Sequence, residues 1–405
     1  MDPSTPSSDS TADTGSLPRR LLFVTSARVG GIGLDLCADE QLKASFRGGF
    51  LGKAVAYRNR STVIPDEKVL SLRFRPVRLI SFLDAPYYYG AKRRYAGHAA
   101  ARELCREGGG YDFLHGWSGD SLQALREARK LGLPSVLDIP TWHCAHGFRK
   151  HENIPPPGGL AGRLLPRKWL DRLPVNPARL REEYDLATMV LTRSTYATES
   201  FLHEGFPPER IFNADEGADT ERFRPGEPPP LFRALFVGAL IERKGVHLLL
   251  EAWDRLNFRD AELVLVGHAH EEIRPYLDRF GGRPNVRLAG TAQNVEDHYR
   301  SATVHVFPSQ CEGCAKTTCE AAACGLPQIT TRESGDVVID GINGLTIPCN
   351  DLDALCAALE RLYRHPELLP AMRTAARARA LEHFTWDAYR ARLLEGYRRA
   401  MALSV

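Results

Sequence analysis

Residues 311–327 read CEGCAKTTCEAAACGLP and hold two sets of groups able to do chemistry. One is the carboxylates of Glu312 and Glu320, eight positions apart. The other is four of the nine cysteines, Cys311, Cys314, Cys319 and Cys324, in the pattern C-x2-C-x4-C-x4-C. One CxxC pair suits zinc, but structural zinc sites pair two such knuckles, or add histidine, across a longer gap. Cys319 and Cys324 fall within a short helix at positions that also suit small apolar side chains, and free cysteine packs as a small hydrophobe. A metal-binding protein built on Cys311–Cys324 is therefore an alternative resting on the thiols alone.

The carboxylates have a better setting. The apolar run VHVFPS reads as a strand stopped by Pro308, which leaves Glu312 in the following loop. A helix is expected from near Ala315, with Lys316, Thr317 and Thr318 in its first turn. Gly325 ends it and Pro327 opens the next strand. The free N–H groups of that first turn and the helix dipole would stabilise a diphosphate. Glu320, about one turn further in, could then reach a sugar hydroxyl attached to it.

The elements that must position these residues alternate along the chain. Leu21–Val24 is an apolar run flowing into a glycine loop with Gly30, Gly31 and Gly33. Such a loop lets backbone amides approach a phosphate or sugar, and equally serves a tight turn. YDFLHGW, LPSVLDIP and DLATMVLTRS read as strands. DSLQALREARKLG reads as a helix with Leu122, Leu125, Ala128 and Leu131 on one side. Strand, helix, strand predicts a parallel sheet. FRPGEPPP, residues 223–230, is too proline-rich to continue a helix or a central strand and reads as a linker. The alternation restarts beyond it with ALFVGAL. The expected division is a disordered tail at 1–18, a Rossmann-like domain at 19–222, the linker, a second Rossmann-like domain at 231–384, and a closing helix at 385–405 capped by Thr385. In open parallel sheets ligands bind beyond the carboxyl ends of the strands, so the cleft between two such domains is the expected site.

Together these residues resemble a family. The Glu-x7-Glu spacing, AAACGLPQITT, VVIDGINGLTIP, LFVGALIERKGVHLLLEAW, GADTERFRP and FTWDAYRARLLEGYRRA are similar to segments of the retaining glycosyltransferases of family 4. The likeness is strong over about 210–400 and compatible over 20–200. It implies an α/β GT-B fold: two doubly wound Rossmann-like domains face each other, and the last helix crosses back to the first. It implies transfer of a sugar from a nucleotide-diphosphate donor to an acceptor hydroxyl with retained anomeric configuration. The first domain would bind the acceptor and the second the donor. Glu312 matches the glutamate near the reacting centre and Glu320 the one that holds the ribose. Lys244 matches a diphosphate-binding lysine. Ala239 stands where the family has an arginine, with Arg243 as a nearby substitute, and Ala315 replaces the motif's second glycine. Base recognition would use backbone groups near GTAQ, around Ala292. Of His143 and His146, His143 is the choice for the family's sugar-contacting histidine. Arg243, Lys244 and the helix N-terminus would neutralise the leaving diphosphate, so no cofactor and no metal is expected to be required. No Asp-x-Asp pair of the metal-holding type follows a strand at a suitable place.

Other classes fit less well. A nucleotide-dependent dehydrogenase would need the full G-x-G-x-x-G spacing, which VGGIGLDL lacks. A GT-B protein that binds sugar nucleotide without turnover is the alternative that Ala239 and Ala315 keep open. A net charge of +3 is too small to argue for nucleic acid, and none is expected as a partner. Residues 41–100, however, carry twelve Lys or Arg against three Asp or Glu, with aromatics among them. That surface suits a lipid-linked or anionic glycan acceptor and peripheral contact with a membrane. No apolar run approaches the roughly 18 residues of a membrane-spanning helix. An odd cysteine count without a secretory h-region points to a reduced, cytoplasmic location, at the inner face of a membrane if the contact is made.

Overall fold

The computed structural model describes residues 16–31, 33–72, 85–106, 110–146 and 173–403. Residues 1–15 of the expected tail and 73–84 of the basic stretch lie outside the described residues. Seven parallel strands form the first sheet: Leu21–Val24 (β1), Leu51–Ala56 (β2), Val69–Ser71 (β3), Phe113–Trp117 (β4), Ser135–Asp138 (β5), Met189–Thr192 (β6) and Ile211–Asn213 (β7). Their order is β3-β2-β1-β4-β5-β6-β7. The strands β1, β4, β5 and β6 are buried along their whole length. Strands covered on both faces must be apolar throughout, which is why they read as unbroken hydrophobic runs. Leu21 and Phe23 enter the apolar layer on one face, and Leu22 and Val24 the layer on the other. Helices Leu34–Arg47 (α1), Ala85–Leu104 (α2), Leu122–Lys130 (α3), Pro177–Leu186 (α4) and Thr195–His203 (α5) belong to this lobe. Asn176 and Ser194 cap the last two by accepting from Arg179 N and Ala197 N, each leaving one fewer orphan amide.

The second sheet contains Phe232–Val237 (β8), Ala261–Val266 (β9), Val286–Gly290 (β10), Val304–Phe307 (β11), Gln328–Thr331 (β12) and Gly344–Ile347 (β13). It is also parallel, in the order β10-β9-β8-β11-β12-β13. The helices of this lobe are Val246–Leu256 (α6), Arg274–Phe280 (α7), Val295–Arg300 (α8), Lys316–Ala323 (α9), Leu352–Arg364 (α10) and Leu369–His383 (α11). Its core gathers Phe236, Leu250, Trp253, Phe307, Ile329 and Leu359. In both sheets the order reverses beside the first strand of the lobe, β1 or β8. Loops leaving the strand ends on either side of that point open a crevice.

The last helix, Trp386–Ala402 (α12), begins where Thr385 accepts from Ala388 N at 3.0 Å, and packs on the first lobe. Leu393, Tyr397 and Ala400 join Phe23, Phe113 and Leu191 in one apolar cluster. Gly396 permits the approach, since a Cβ there would lie 3.1 Å from both Leu191 and Phe212. The Tyr397 hydroxyl is 2.7 Å from His115 Nδ1. Burial lowers the pKa of His115 to about 3, so the ring is neutral and needs that partner. Tyr397→Phe removes the partner without opening a large cavity. The expected cost is about 1–3 kcal/mol of stability from an orphaned buried nitrogen, read as a shifted urea midpoint; an unchanged midpoint would show that α12 is docked by its apolar face alone.

Candidate active site

Between the lobes lies a cleft of about 770 Å³. Its first-lobe wall includes Gly33, Ile139, Pro140, Trp142, His143 and Tyr184; its second-lobe wall includes Gly238, Ala239, Arg243, Lys244, Glu312 and Ala315. The two walls nearly touch at Gly313, where an added Cβ would sit 2.6 Å from the Pro140 carbonyl oxygen.

Glu312 stands in the loop between β11 and α9. That loop is pinned to the segment after β12, with Glu312 N donating to Glu333 O at 2.9 Å and Ala315 N to Ser334 O at 2.8 Å. The Glu312 carboxylate accepts from Lys244 Nζ at 2.7 Å, Arg243 Nη1 at 3.1 Å and Ser309 Oγ at 3.2 Å. Burial alone would raise its pKa, but Lys244 and Arg243 outweigh that and hold it below the usual carboxylate range. Gly245 makes this meeting possible: its φ is 74°, and a Cβ would strike the Pro308 carbonyl at 2.2 Å. Lys244 Nζ also lies 4.8 Å from the centre of the Phe307 ring, a cation–π contact that fixes its direction. Arg243 reaches the Cys311 carbonyl as well.

The helix α9 starts at Lys316 with Ala315 as its N-cap residue, so its first-turn amides open beside Glu312. Ala315 has an ordinary φ of −71° and its methyl packs on the core of the second lobe. Lys316 Nζ and Thr317 Oγ1 are buried and make no hydrogen bond among the described residues. The Lys316 ammonium lies 4.3 Å from the centre of the Trp386 ring. Glu320 accepts from the Tyr299 hydroxyl at 3.0 Å. Burial raises its pKa to about 7, with Lys316 and Tyr299 pulling the other way.

His143 lines the first-lobe wall and is held from both sides. Its backbone N donates to Ser200 Oγ at 2.9 Å, and its Nδ1 accepts from Ala145 N at 3.2 Å. Burial lowers its pKa, so the neutral ring carries its proton on Nε2. The glycine loop reaches the cleft through Gly33 and Leu34. Gly30 and Gly31 form the turn behind them: Gly30 has φ 78° against Arg60, and Gly31 lies against Asp35. Ala292 packs half-buried on the apolar cluster beneath α9. The four thiols lie in apolar packing, with only Cys314 Sγ and Cys319 Sγ close to each other at 3.9 Å. Cys311 touches Trp142 and Ala197, while Cys314, Cys319 and Cys324 lie in the cluster under α9.

Sequence reasoning does not find the floor of the cleft. Arg193 donates to Asp138 at 2.8 Å and 3.1 Å and to Glu216 at 2.6 Å, all three side chains being buried. Cys37 from α1 donates its S–H to Glu216. Burial, then the Glu216 carboxylate, push this thiol up to about 11. The only local signals are a charged residue directly after an apolar strand, TRS, and one in DEGAD before the linker; their pairing spans 55 and 23 positions.

Two Rossmann-like lobes with their strand ends facing across a cleft define the GT-B class. Comparison with known proteins agrees. The family model described as Glycosyl transferases group 1 matches residues 232–365. D-inositol 3-phosphate glycosyltransferase 1 of Catenulispora acidiphila is 29% identical over 350 residues, covering 77% of this chain and 78% of that one. The GDP-mannose-dependent alpha-(1-6)-phosphatidylinositol monomannoside mannosyltransferase of Mycolicibacterium smegmatis is 28% identical over 252 residues, covering 55% and 65%. Sucrose-phosphate synthase from Thermosynechococcus elongatus superposes with a TM-score of 0.69 at 18% identity, over 95% of this chain and 99% of that one. The chain is a glycosyltransferase of the GT-B fold that uses a nucleotide-activated sugar as donor, and it resembles the family-4 enzymes.

The floor network yields a stability prediction. Arg193→Ala leaves two buried carboxylates without their shared cation, and breaking such a set costs about 3–5 kcal/mol. Chemical unfolding of the variant should show that loss. A change below about 1 kcal/mol would mean the floor is open to water.

Proposed function

We propose that this enzyme moves the sugar of a nucleoside-diphosphate sugar onto an acceptor hydroxyl with retention of anomeric configuration and without needing a metal. The observation that carries the reading is the meeting of Lys244 and Arg243 with Glu312 beside the first turn of α9. Two cations and a set of free amides facing one cleft are what a leaving diphosphate needs. With its charge neutralised the diphosphate departs without a proton donor. The acceptor hydroxyl attacks from the face it leaves and gives its proton to an oxygen of the departing diphosphate, and that choice of face gives retention. Glu312 stabilises positive character at the sugar, Glu320 accepts from the ribose, and the His143 Nε2–H is offered to the sugar.

The acceptor in this reading is lipid-linked or anionic. Arg93 lines the cleft on the first-lobe side, and Lys92 stands 4.1 Å over the Tyr57 ring. Inositol 3-phosphate and phosphatidylinositol, which appear in the names of the two relatives, are both anionic. No helix among the described residues is long and apolar enough to cross a membrane. The membrane contact proposed here is peripheral, made by the basic stretch 41–100 at the cytoplasmic face.

A donor panel of UDP-, GDP- and ADP-sugars in the presence of EDTA, with the product anomer read by NMR, tests the reaction. An inverted product, or turnover that returns only with Mg²⁺, would overturn it. In the same assay Glu312→Ala should abolish transfer and leave nucleotide binding nearly intact. Lys244→Ala should weaken nucleoside-diphosphate binding by tenfold or more, about 1.4 kcal/mol.

Glu320 gives a pH prediction. Its folded pKa of about 7 lies above the usual carboxylate value, so it takes up a proton as pH falls through 7. The neutral carboxyl is a weaker acceptor for the ribose hydroxyl. Donor KM should therefore rise between about pH 8 and about pH 6, and Glu320→Gln should flatten the profile. A slope that survives this substitution would assign the titration to another group.

A further inference from the structure

We propose that His146, His203 and Glu204 form a binding site for one divalent ion of the zinc class, at the first-lobe edge of the cleft. Neither the fold nor the transfer reaction calls for this site, and no step proposed above passes through it.

The three side chains come from two elements. His146 follows β5 in a short turn, where its backbone N donates to the His143 carbonyl at 3.0 Å. His203 is the last residue of α5, and Glu204 is that helix's C-cap. One ligand atom from each lies within 4.8 Å of the other two. Ligands about 2.0–2.2 Å from a shared tetrahedral ion stand about 3.3–3.6 Å apart, so rotamer changes that draw these atoms together by about an ångström would complete the set. The His146 ring is held by its neighbours, 5.9 Å from Trp142 and 5.8 Å from Tyr196, and lies 5.7 Å from the His203 ring. Glu204 Oε1 is already 3.7 Å from His203 Nδ1. The C-terminal end of α5 adds partial negative charge where the cation would sit.

The donor set decides the class of ion. Two imidazoles and one carboxylate are borderline ligands suited to zinc and its transition-metal neighbours, whereas magnesium and calcium take oxygen almost throughout. Three protein ligands leave a fourth tetrahedral position for water or another oxygen. His146 also lines the cleft, so the ion would tie the loop after β5 to α5 beside the proposed acceptor region. The thiols are poor competitors: burial pushes Cys311 and Cys324 each up to about 12, and the thiolate is the form that binds metal.

Calorimetric titration of Zn²⁺ into the metal-free full-length protein tests the site. Wild type should bind one equivalent. His203→Ala, a change at an exposed position, should weaken that binding roughly tenfold or more while leaving the Tm of the metal-free protein unchanged. Co²⁺ gives an independent readout: visible d–d bands without the intense near-ultraviolet band of cobalt–thiolate bonds. Absence of binding by wild type, unchanged affinity in His203→Ala, or a thiolate band that persists in that variant would each overturn the site.

Discussion

The second-lobe wall of the cleft depends on one arrangement of charge, two cations sharing a carboxylate. Lys244 and Arg243 are neighbours in sequence and both point at Glu312 Oε1. Without that carboxylate, two like charges would face each other in a partly dehydrated loop, a costly arrangement. With it they are held in place and compensated. A diphosphate entering the cleft offers the cations new oxygens and competes with Glu312 for them. The same interaction thus compensates the two cations in the cleft and is one that an entering anion can exchange.

The backbone serves this arrangement. The strand β11 delivers the Glu312 loop, β8 delivers Lys244 through the Gly245 turn, and α9 adds its amide end. Below them the floor is built differently. Arg193, Asp138 and Glu216 are paired within one lobe and its exit segment, while Lys316 reaches down from the other lobe toward Trp386 at the start of α12. At the outer lip the lobes meet through exposed pairs, Arg332 with Glu199 and Thr195 with Asp336. Exposed pairs contribute little, about 0–1 kcal/mol. The firm connection between the lobes is therefore α12, with Tyr397 set among the aromatics of the first sheet.

Much of this was readable from the sequence because the features are local. The strand before Glu312, the start of α9 beside Ala315, its stop at Gly325 with φ 67°, and the Thr385 cap each depend on a few adjacent residues. Buried parallel strands announce themselves as apolar runs. The misses are non-local or lack a pattern. Nothing near Arg193 says that Asp138 and Glu216 will meet it, and nothing near Glu320 names Tyr299. The strand β2 is interrupted by Gly52 and Lys53. The helix α11 buries only Met372, Ala376 and Ala380, too small a stripe to stand out. Gly30 and Gly31 look like wall residues in sequence because a glycine run does not say which member faces the ligand.

The two departures from the family pattern become intelligible in this geometry. Ala239 leaves a short side chain on the cleft wall, and Arg243 enters the same cleft four residues later, bonded to Glu312 and the Cys311 carbonyl. Arg243 thus places in the cleft a guanidinium that Ala239 does not supply. Ala315 needs no left-handed φ, and its methyl is absorbed by the core, so the substitution leaves the N-terminal amides of α9 in place. What a diphosphate would meet there is a field of positive groups converging from Arg243, Lys244 and the first-turn amides of α9, and such a field acts on charge through where its members point.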